Sequence, residues 1–345
     1  MTIAHFLIAI LGLAVLMVVH EGGHYVAARR YGMRVMRFSI GFGPTIWKHK
    51  PKDSPTVYQV ALIPFLAYVQ IAGMNPYEEN DPKDKASYAN ASLWARIVTI
   101  AAGPLTNYFF ASVLIFFGLL IGGKDVPDEA SMRIAVEPGP AQAAGIQTGD
   151  RVLEVNGKPI HNWAELKASV SAHPGEPIEI EIERGGQTLH KTVTPAPKGE
   201  KDEGRIQVRP TTHVEPVGIA EAAKMSVIAP PLFVYENVRA VGRVLTGKEK
   251  LVLNGPVGIV KETARQAKTG AGVLLQFLGM LSAYLGAFNL LPFPALDGGR
   301  LLFLGAEAVS RRRPDAKIEA RVHAIGLVML LTLIAFVTYA DVISK

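Results

Sequence analysis

The sequence predicts a polytopic α-helical membrane protein: four transmembrane helices, a membrane-associated β region on the cytoplasmic side, and an external α+β domain. Three observations carry that prediction. Apolar stretches stand near residues 6–28, 97–121, 272–309 and 322–340, each long enough to cross a hydrocarbon core of ~30 Å. Cations cluster beside two of them, Arg29, Arg30, Arg34 and Arg37 after the first and Arg311, Arg312, Arg313 and Lys317 before the last, which is the positive-inside pattern. Charged, water-compatible blocks separate the apolar runs.

Taken in order, residues 1–28 form the first span and 29–95 a cytoplasmic-side β region and loop. Residues 96–121 form the second span, 125–200 the external domain, and 201–271 an amphipathic or interfacial segment. Residues 272–310 form the third span, 311–321 a basic cytoplasmic loop, and 322–345 the fourth span and C-terminus. With both basic clusters inside, the two termini and the external domain lie outside. Met1 to His5 has no basic n-region and the apolar run leads into a His/Glu cluster rather than a small-residue cleavage site, so a removed signal peptide is not expected. The net charge of +6 belongs to these flanks, and a nucleic-acid partner is not expected. The partner implied throughout is the lipid bilayer. The absence of cysteine excludes thiol catalysis and Cys-type zinc sites and requires the external block to fold without disulfides.

Local patterns fill in the blocks between spans. Alternation such as Thr56-Val57-Tyr58-Gln59-Val60 within residues 38–74 predicts a small sheet. In the external block, Ile178-Glu179-Ile180-Glu181-Ile182 reads as a half-buried strand, Asn156-Gly157 as a tight turn, and residues 163–170 as a helix. Residues 216–247 combine Val227, Ile228, Leu232, Val234, Val238 and Val241 with Lys224, Arg239 and Arg243 at helical spacing. An interfacial or docking helix kinked at Pro230-Pro231 fits, and a soluble core helix is the alternative.

His20-Glu21-Gly22-Gly23-His24 is HExxH. On a helix it sets two imidazoles one turn apart on one face, with Glu21 about 100° round the axis. That arrangement suits Zn2+, which lowers the pKa of a bound water to about 7 so that a carboxylate can take its proton. Three ionisable groups after fourteen uncharged residues are costly in a bilayer unless they bind something. A catalytic zinc needs a third protein ligand. Asp297 is the candidate, within Asn289-Leu290-Leu291-Pro292-Phe293-Pro294-Ala295-Leu296-Asp297-Gly298-Gly299-Arg300, where two prolines and two glycines break the helix at membrane depth. His323 and Glu307 are weaker rivals near the basic edge.

At this point the chain resembles the site-2 protease family of intramembrane zinc metalloproteases, in its bacterial regulator of sigma-E protease branch. The resemblance rests on HExxH, the 289–299 motif, Phe38-Ser39-Ile40-Gly41-Phe42-Gly43-Pro44, Gly103-Pro104-Leu105-Thr106-Asn107, and Asn254-Gly255-Pro256-Val257-Gly258-Ile259. It implies that His20, His24 and Asp297 bind zinc, that Glu21 is the general base, and that Asn289 helps hold the substrate backbone. A buried Asn289 bonding freed backbone groups is the alternative. It further implies a sheet edge presented to an unwound substrate, and a bacterial inner-membrane location. Implied substrates are single-pass membrane proteins of the anti-sigma-factor or remnant-signal-peptide type, cut by regulated intramembrane proteolysis. Where relatives carry Pro-x-Gly-Gly-Tyr-Val, this chain has Pro64-Phe65-Leu66-Ala67-Tyr68-Val69, so a glycine-dependent turn must be made differently. The external block is similar to a single bacterial PDZ domain. Its groove either takes a peptide C-terminus by strand addition or the domain acts as a bulky filter. A zinc-holding scaffold without catalysis is opposed by the presence of Glu21, and a metal transporter by the lack of a second metal relay among the membrane acids.

Overall fold

The computed structural model describes residues 1–75, 77–78, 81–198, 203–246 and 255–343. Asn254, which opens the fifth motif, lies outside them. In chain order the elements are α1 (Ile3–Arg30), β1 (Val35–His49), β2 (Val57–Ile71), α2 (Leu93–Gly122), β3 (Lys124–Pro127), β4 (Ile134–Val136), α3 (Pro140–Ala143), β5 (Arg151–Val155), β6 (Lys158–Pro159), α4 (Trp163–Ser171), β7 (Ile178–Arg184) and β8 (Gln187–Val193). There follow β9 (Ala196–Lys198), β10 (Glu203–Arg205), β11 (Val208–Pro210), β12 (Thr212–Glu215), α5 (Ile219–Leu245), α6 (Pro256–Thr269), α7 (Ala271–Asn289), α8 (Asp297–Ser310) and α9 (Ala316–Ile343). Two compact units result: among the described residues one holds 1–122, 217–241 and 255–343, the other 123–216 with 242–246.

In the first unit, α1, α2, α7 and α9 are long and apolar enough to cross a membrane. Lipid tails are as apolar as leucine, so such helices associate by close packing rather than by hydrophobic burial. Small residues make that possible on α7. A Cβ on Gly279 would stand 2.6 Å from Ile115 Cγ1 and 3.0 Å from Ala111 O, and one on Gly286 2.8 Å from Pro104 O. Ser282 Oγ adds a hydrogen bond to Asn107 O at 2.9 Å. The apolar side chains left facing outwards, such as Ile3, Leu7 and Leu11 on α1 and Ile325, Val328 and Phe336 on α9, are what a bilayer covers.

One end of this unit gathers the cations. Arg34 pairs with Asp84, and Arg313 donates to Ala89 O, so both basic clusters reach the same 84–89 stretch. Arg96 at the start of α2 and Glu307 near the end of α8 form a bidentate pair at 2.9 and 2.5 Å. β1 and β2 form an antiparallel sheet with register shifts, in which Phe38 lies opposite both Val69 and Tyr58. β2 runs extended through residues 64–69, and no described residue there has a left-handed backbone. Extended backbone is open to any residue type, which is how this stretch dispenses with glycine. α5 continues through Pro230 and Pro231 as one helix, and Val217 and Ala222 bury against Ile115 and Leu119 of α2.

The second unit is built on a four-stranded sheet in the order β6-β5-β7-β8. Ile178, Ile180 and Ile182 of β7 are fully buried with Leu166 and Val170 of α4 in one core. The expected boundary at 200 cuts through this unit, because β11 returns to pair with β4 and β12 with β3. Asp150 is buried and accepts Arg184 Nε and Nη2, each at 2.7 Å, and the Gln147 N–H at 2.8 Å. Burial pushes its carboxyl up, but the hydrogen bonds and charge of Arg184 and the Gln147 N–H outweigh that and hold it below the usual carboxylate range. A carboxyl depressed in the folded state stabilises above its unfolded pKa, and that contribution is lost as pH falls below about 4. Arg184→Leu is therefore expected to move acid unfolding of this unit to higher pH. Hydrogen exchange of β5 and β7 in the full chain, followed down a pH series, checks the shift.

Candidate active site

HExxH lies in the last third of α1, where His20 and His24 are both buried and face α2. Asp297 is the first residue of α8. His20 Nε2 is 3.2 Å and His24 Nε2 3.3 Å from Asp297 Oδ2, and the two Nε2 atoms are 3.3 Å apart. The three donor atoms thus form a nearly equilateral triangle. Four-coordinate zinc with nitrogen and oxygen ligands at about 2.0–2.1 Å has ligand–ligand edges of about 3.3 Å. Asp297 Oδ2 is buried with no partner outside this group, and the chemistry and spacing of the three donor atoms fit a zinc ion. Among the described residues this is the one His/Asp/Glu group whose ligand atoms all lie within 4.8 Å of one another.

The crossing of α1 over α2 explains the glycines of two motifs. A Cβ on Gly23 would overlap Ala102 O and stand 2.5 Å from Thr106 Oγ1, while one on Gly103 would overlap the imidazole of His24. Glycine at both positions lets backbone and ring pass within contact. Pro104 removes one backbone N–H from this stretch of α2, and the nearby Thr99 carbonyl accepts His24 Nδ1–H at 2.8 Å. A carbonyl can only accept, so His24 keeps its lone pair on Nε2, facing the triangle. Two turns along, Asn107 Nδ2 lies 3.2 Å from His20 Nδ1 while its Oδ1 is buried without a partner. A half-turn of that amide brings Oδ1 to Nδ1–H and puts the lone pair of His20 on Nε2 as well. Thr99, Gly103 and Asn107, four residues apart, form one face of α2 dedicated to the two imidazoles.

Asp297 owes its position to the break between α7 and α8. The turn folds back so tightly over the first residues of α8 that a Cβ on Gly298 would overlap Leu291 O and one on Gly299 would overlap Phe293 O. Ala295 takes a left-handed φ of 77°, which costs a non-glycine residue about 1–3 kcal/mol and persists only where its surroundings impose it. The two rivals to Asp297 have other partners. Glu307 is paired with Arg96, and His323 Nδ1 accepts the Ala295 N–H at 2.9 Å.

Glu21 is close enough to His20, His24 and Asp297, and to the Val69 N–H of β2, for their charges and dipole to act on it. Tyr25 ties the sheet to the motif helix, its OH 2.6 Å from that of Tyr58 and its ring edge-on to Phe38 at 5.6 Å. Between α1 and the sheet runs a groove of about 500 Å³ lined by Val18, Gly22, Phe38, Trp47 and Tyr58 among others. Nothing lies within 4 Å of where a Gly22 Cβ would stand, so the groove opens beside Glu21. Asn289 ends α7 and donates Nδ2 to Leu285 O at 2.9 Å, a bond within its own helix. Thr99, Asn107 and Val69 were not singled out by sequence reasoning. Asn107 carried a signal as the last residue of a recognised motif, whereas Thr99 and Val69 contribute only backbone atoms.

Residues 8–333 match the model of peptidase family M50. The chain is 33% identical over 342 residues, 98% of both chains, to a Clostridium perfringens protein carrying a zinc-metalloprotease name. It is 30% identical to zinc metalloprotease RasP of Geobacillus kaustophilus and 29% identical to regulator of sigma-W protease RasP of Bacillus subtilis, in each case over 94% of both chains. With four apolar helices of membrane-crossing length and a His-His-Asp group of zinc-binding dimensions, the chain belongs to peptidase family M50, the site-2 protease family, and is a multi-pass membrane zinc metalloprotease.

Proposed function

We propose that this protein hydrolyses peptide bonds in or near the transmembrane segments of single-pass membrane proteins, with zinc held by His20, His24 and Asp297. The observation that carries the reading is the triangle of about 3.3 Å edges formed by their ligand atoms on a helix of membrane-crossing length. Bound there, zinc supplies Lewis-acid activation of water and of the scissile carbonyl. Glu21 takes the proton of the attacking water on its carboxylate and delivers it to the departing amide nitrogen. Between α1 and the sheet, the groove beside Gly22 suits an unwound, extended substrate segment pairing with the β1–β2 edge. Asn289, at the end of α7, steadies the substrate backbone once released from Leu285 O.

The setting follows from charge. Arg34 and Arg313 meet the same stretch at one end of the membrane unit, which we assign to the cytoplasmic face of a bacterial inner membrane. The termini and the second unit then lie outside. We assign that unit as a single PDZ domain, supported by its β6-β5-β7-β8 sheet with α4 packed on it. It either captures a peptide C-terminus or excludes substrates whose external part is still bulky. Anti-sigma factors trimmed by an earlier cut, or remnant signal peptides, are the substrate classes this arrangement suits.

Glu21→Gln is expected to lower cleavage of a reconstituted model substrate by about 10²–10⁴-fold with one zinc per chain retained. Undiminished turnover removes the mechanism. Gly103→Val, which displaces the His24 ring, and Asn107→Leu, which leaves His20 Nδ1 unpartnered, are each expected to weaken zinc binding by about 10–100-fold. Chelator competition on the full-length protein in detergent measures it, and wild-type affinity in both variants speaks against this ligand set. Membrane proteomes with active protein and with Glu21→Gln, compared side by side, identify substrates as proteins that accumulate uncut in the latter.

A further inference from the structure

The turn between α7 and α8 has an amide left over, and its partner lies on a different helix. Of residues 290–296, Pro292 and Pro294 have no N–H. Leu290, Leu291, Phe293 and Leu296 donate to carbonyls of α7 or of the turn itself. Ala295 donates instead to His323 Nδ1 of α9 at 2.9 Å. This is also the residue with the left-handed φ of 77°, two positions before Asp297. The other side of the His323 ring makes no hydrogen bond: Nε2 is buried without a partner, and Glu319 Oε1, at 3.8 Å, is beyond reach. An Nδ1 that accepts leaves the proton on Nε2, so the imidazole serves here as a neutral acceptor. One turn further along α9, a Cβ on Gly326 would overlap the Pro294 side chain, so backbone contact and hydrogen bond hold the same turn from the same face.

We propose that His323 is a positioning residue for the zinc site, holding Ala295 in its left-handed conformation and thereby presenting the Asp297 carboxylate to His20 and His24. This rests on the reading of those three residues as ligands. An amide at membrane depth needs an acceptor, and non-glycine backbone returns to right-handed or extended conformations once nothing holds it. Loss of the His323 acceptor therefore turns the chain two residues before the ligand.

The test measures zinc dissociation constants by chelator competition, and kcat and KM on a model substrate, for full-length protein in detergent. In His323→Asn the side-chain oxygen takes the place of Nδ1, whereas in His323→Gln the amide sits nearer the place of Nε2. His323→Leu is expected to bind zinc about 10–100-fold more weakly and to lose kcat more than KM. His323→Asn is expected to recover most of both, and His323→Gln to recover little. Hydrogen exchange of the 290–296 turn in the zinc-free protein should be faster in His323→Leu than in His323→Asn. Wild-type zinc affinity in His323→Leu overturns the proposal, as does a His323→Asn variant that melts like wild type yet binds zinc no better than His323→Gln. If His323→Leu does not fold, the Asn and Gln pair decides alone. Asp297→Asn serves as the separate control: undiminished zinc affinity there defeats the ligand reading itself.

Discussion

His24 reaches the Thr99 carbonyl only because Gly103 has no side chain where the imidazole lies, and α1 can come that near only because Gly23 has none where it meets Ala102. Everything else in the membrane unit is arranged round this crossing. Once the two helices touch at that point, the four-residue spacing along α2 puts Asn107 beside His20, and the small-residue face of α7 closes on α2 through Gly279, Ser282 and Gly286. An imidazole that makes a hydrogen bond at Nδ1 has one orientation and one free lone pair. The site is thus preorganised by packing in a solvent that offers no hydrophobic driving force between helices.

The second constraint is that backbone polar groups inside a bilayer must find partners in the protein. Helix α1 meets it by being uninterrupted. The α7–α8 break cannot, and the structure shows how it is met there: proline removes two donors, four amides turn inward, and His323 takes the last. Gly298 and Gly299 let the turn lie flat on the helix that follows. The break makes Asp297 the first residue of α8, with its Oδ2 3.2 and 3.3 Å from the two imidazoles of α1. The Arg96–Glu307 pair anchors the far end of α8, so the ligand-bearing helix is held at both ends.

The sheet joins the same scheme through the Tyr25–Tyr58 hydroxyl pair and the Tyr25–Phe38 ring contact. A protease acting on helical substrates must offer a surface on which a peptide can lie extended. On the function proposed above, the β1–β2 sheet is that surface, and the Tyr25–Tyr58 pair holds it to the helix that carries Glu21.

Much of this was legible in the amino-acid sequence because it depends on neighbours along the chain. Membrane-crossing helices follow from runs of apolar residues, and the His20–His24 pair from one helical turn. Asp297 stood out because proline and glycine in a membrane segment demand a reason. What the sequence did not disclose is set by contacts between distant segments: Thr99 to His24 across 75 residues and Asn107 to His20 across 87. The second unit gives the same lesson, since β11 and β12 look like the start of the following segment until they pair with β4 and β3. Residue types and local spacing determined which groups were candidates, and His20, His24 and Asp297 do come together. Which nitrogen of each imidazole is free, which amide lacks an acceptor, and where the second unit ends were decided only when the helices crossed and the strands paired, because hydrogen-bond partners in space have no signature in a one-dimensional pattern.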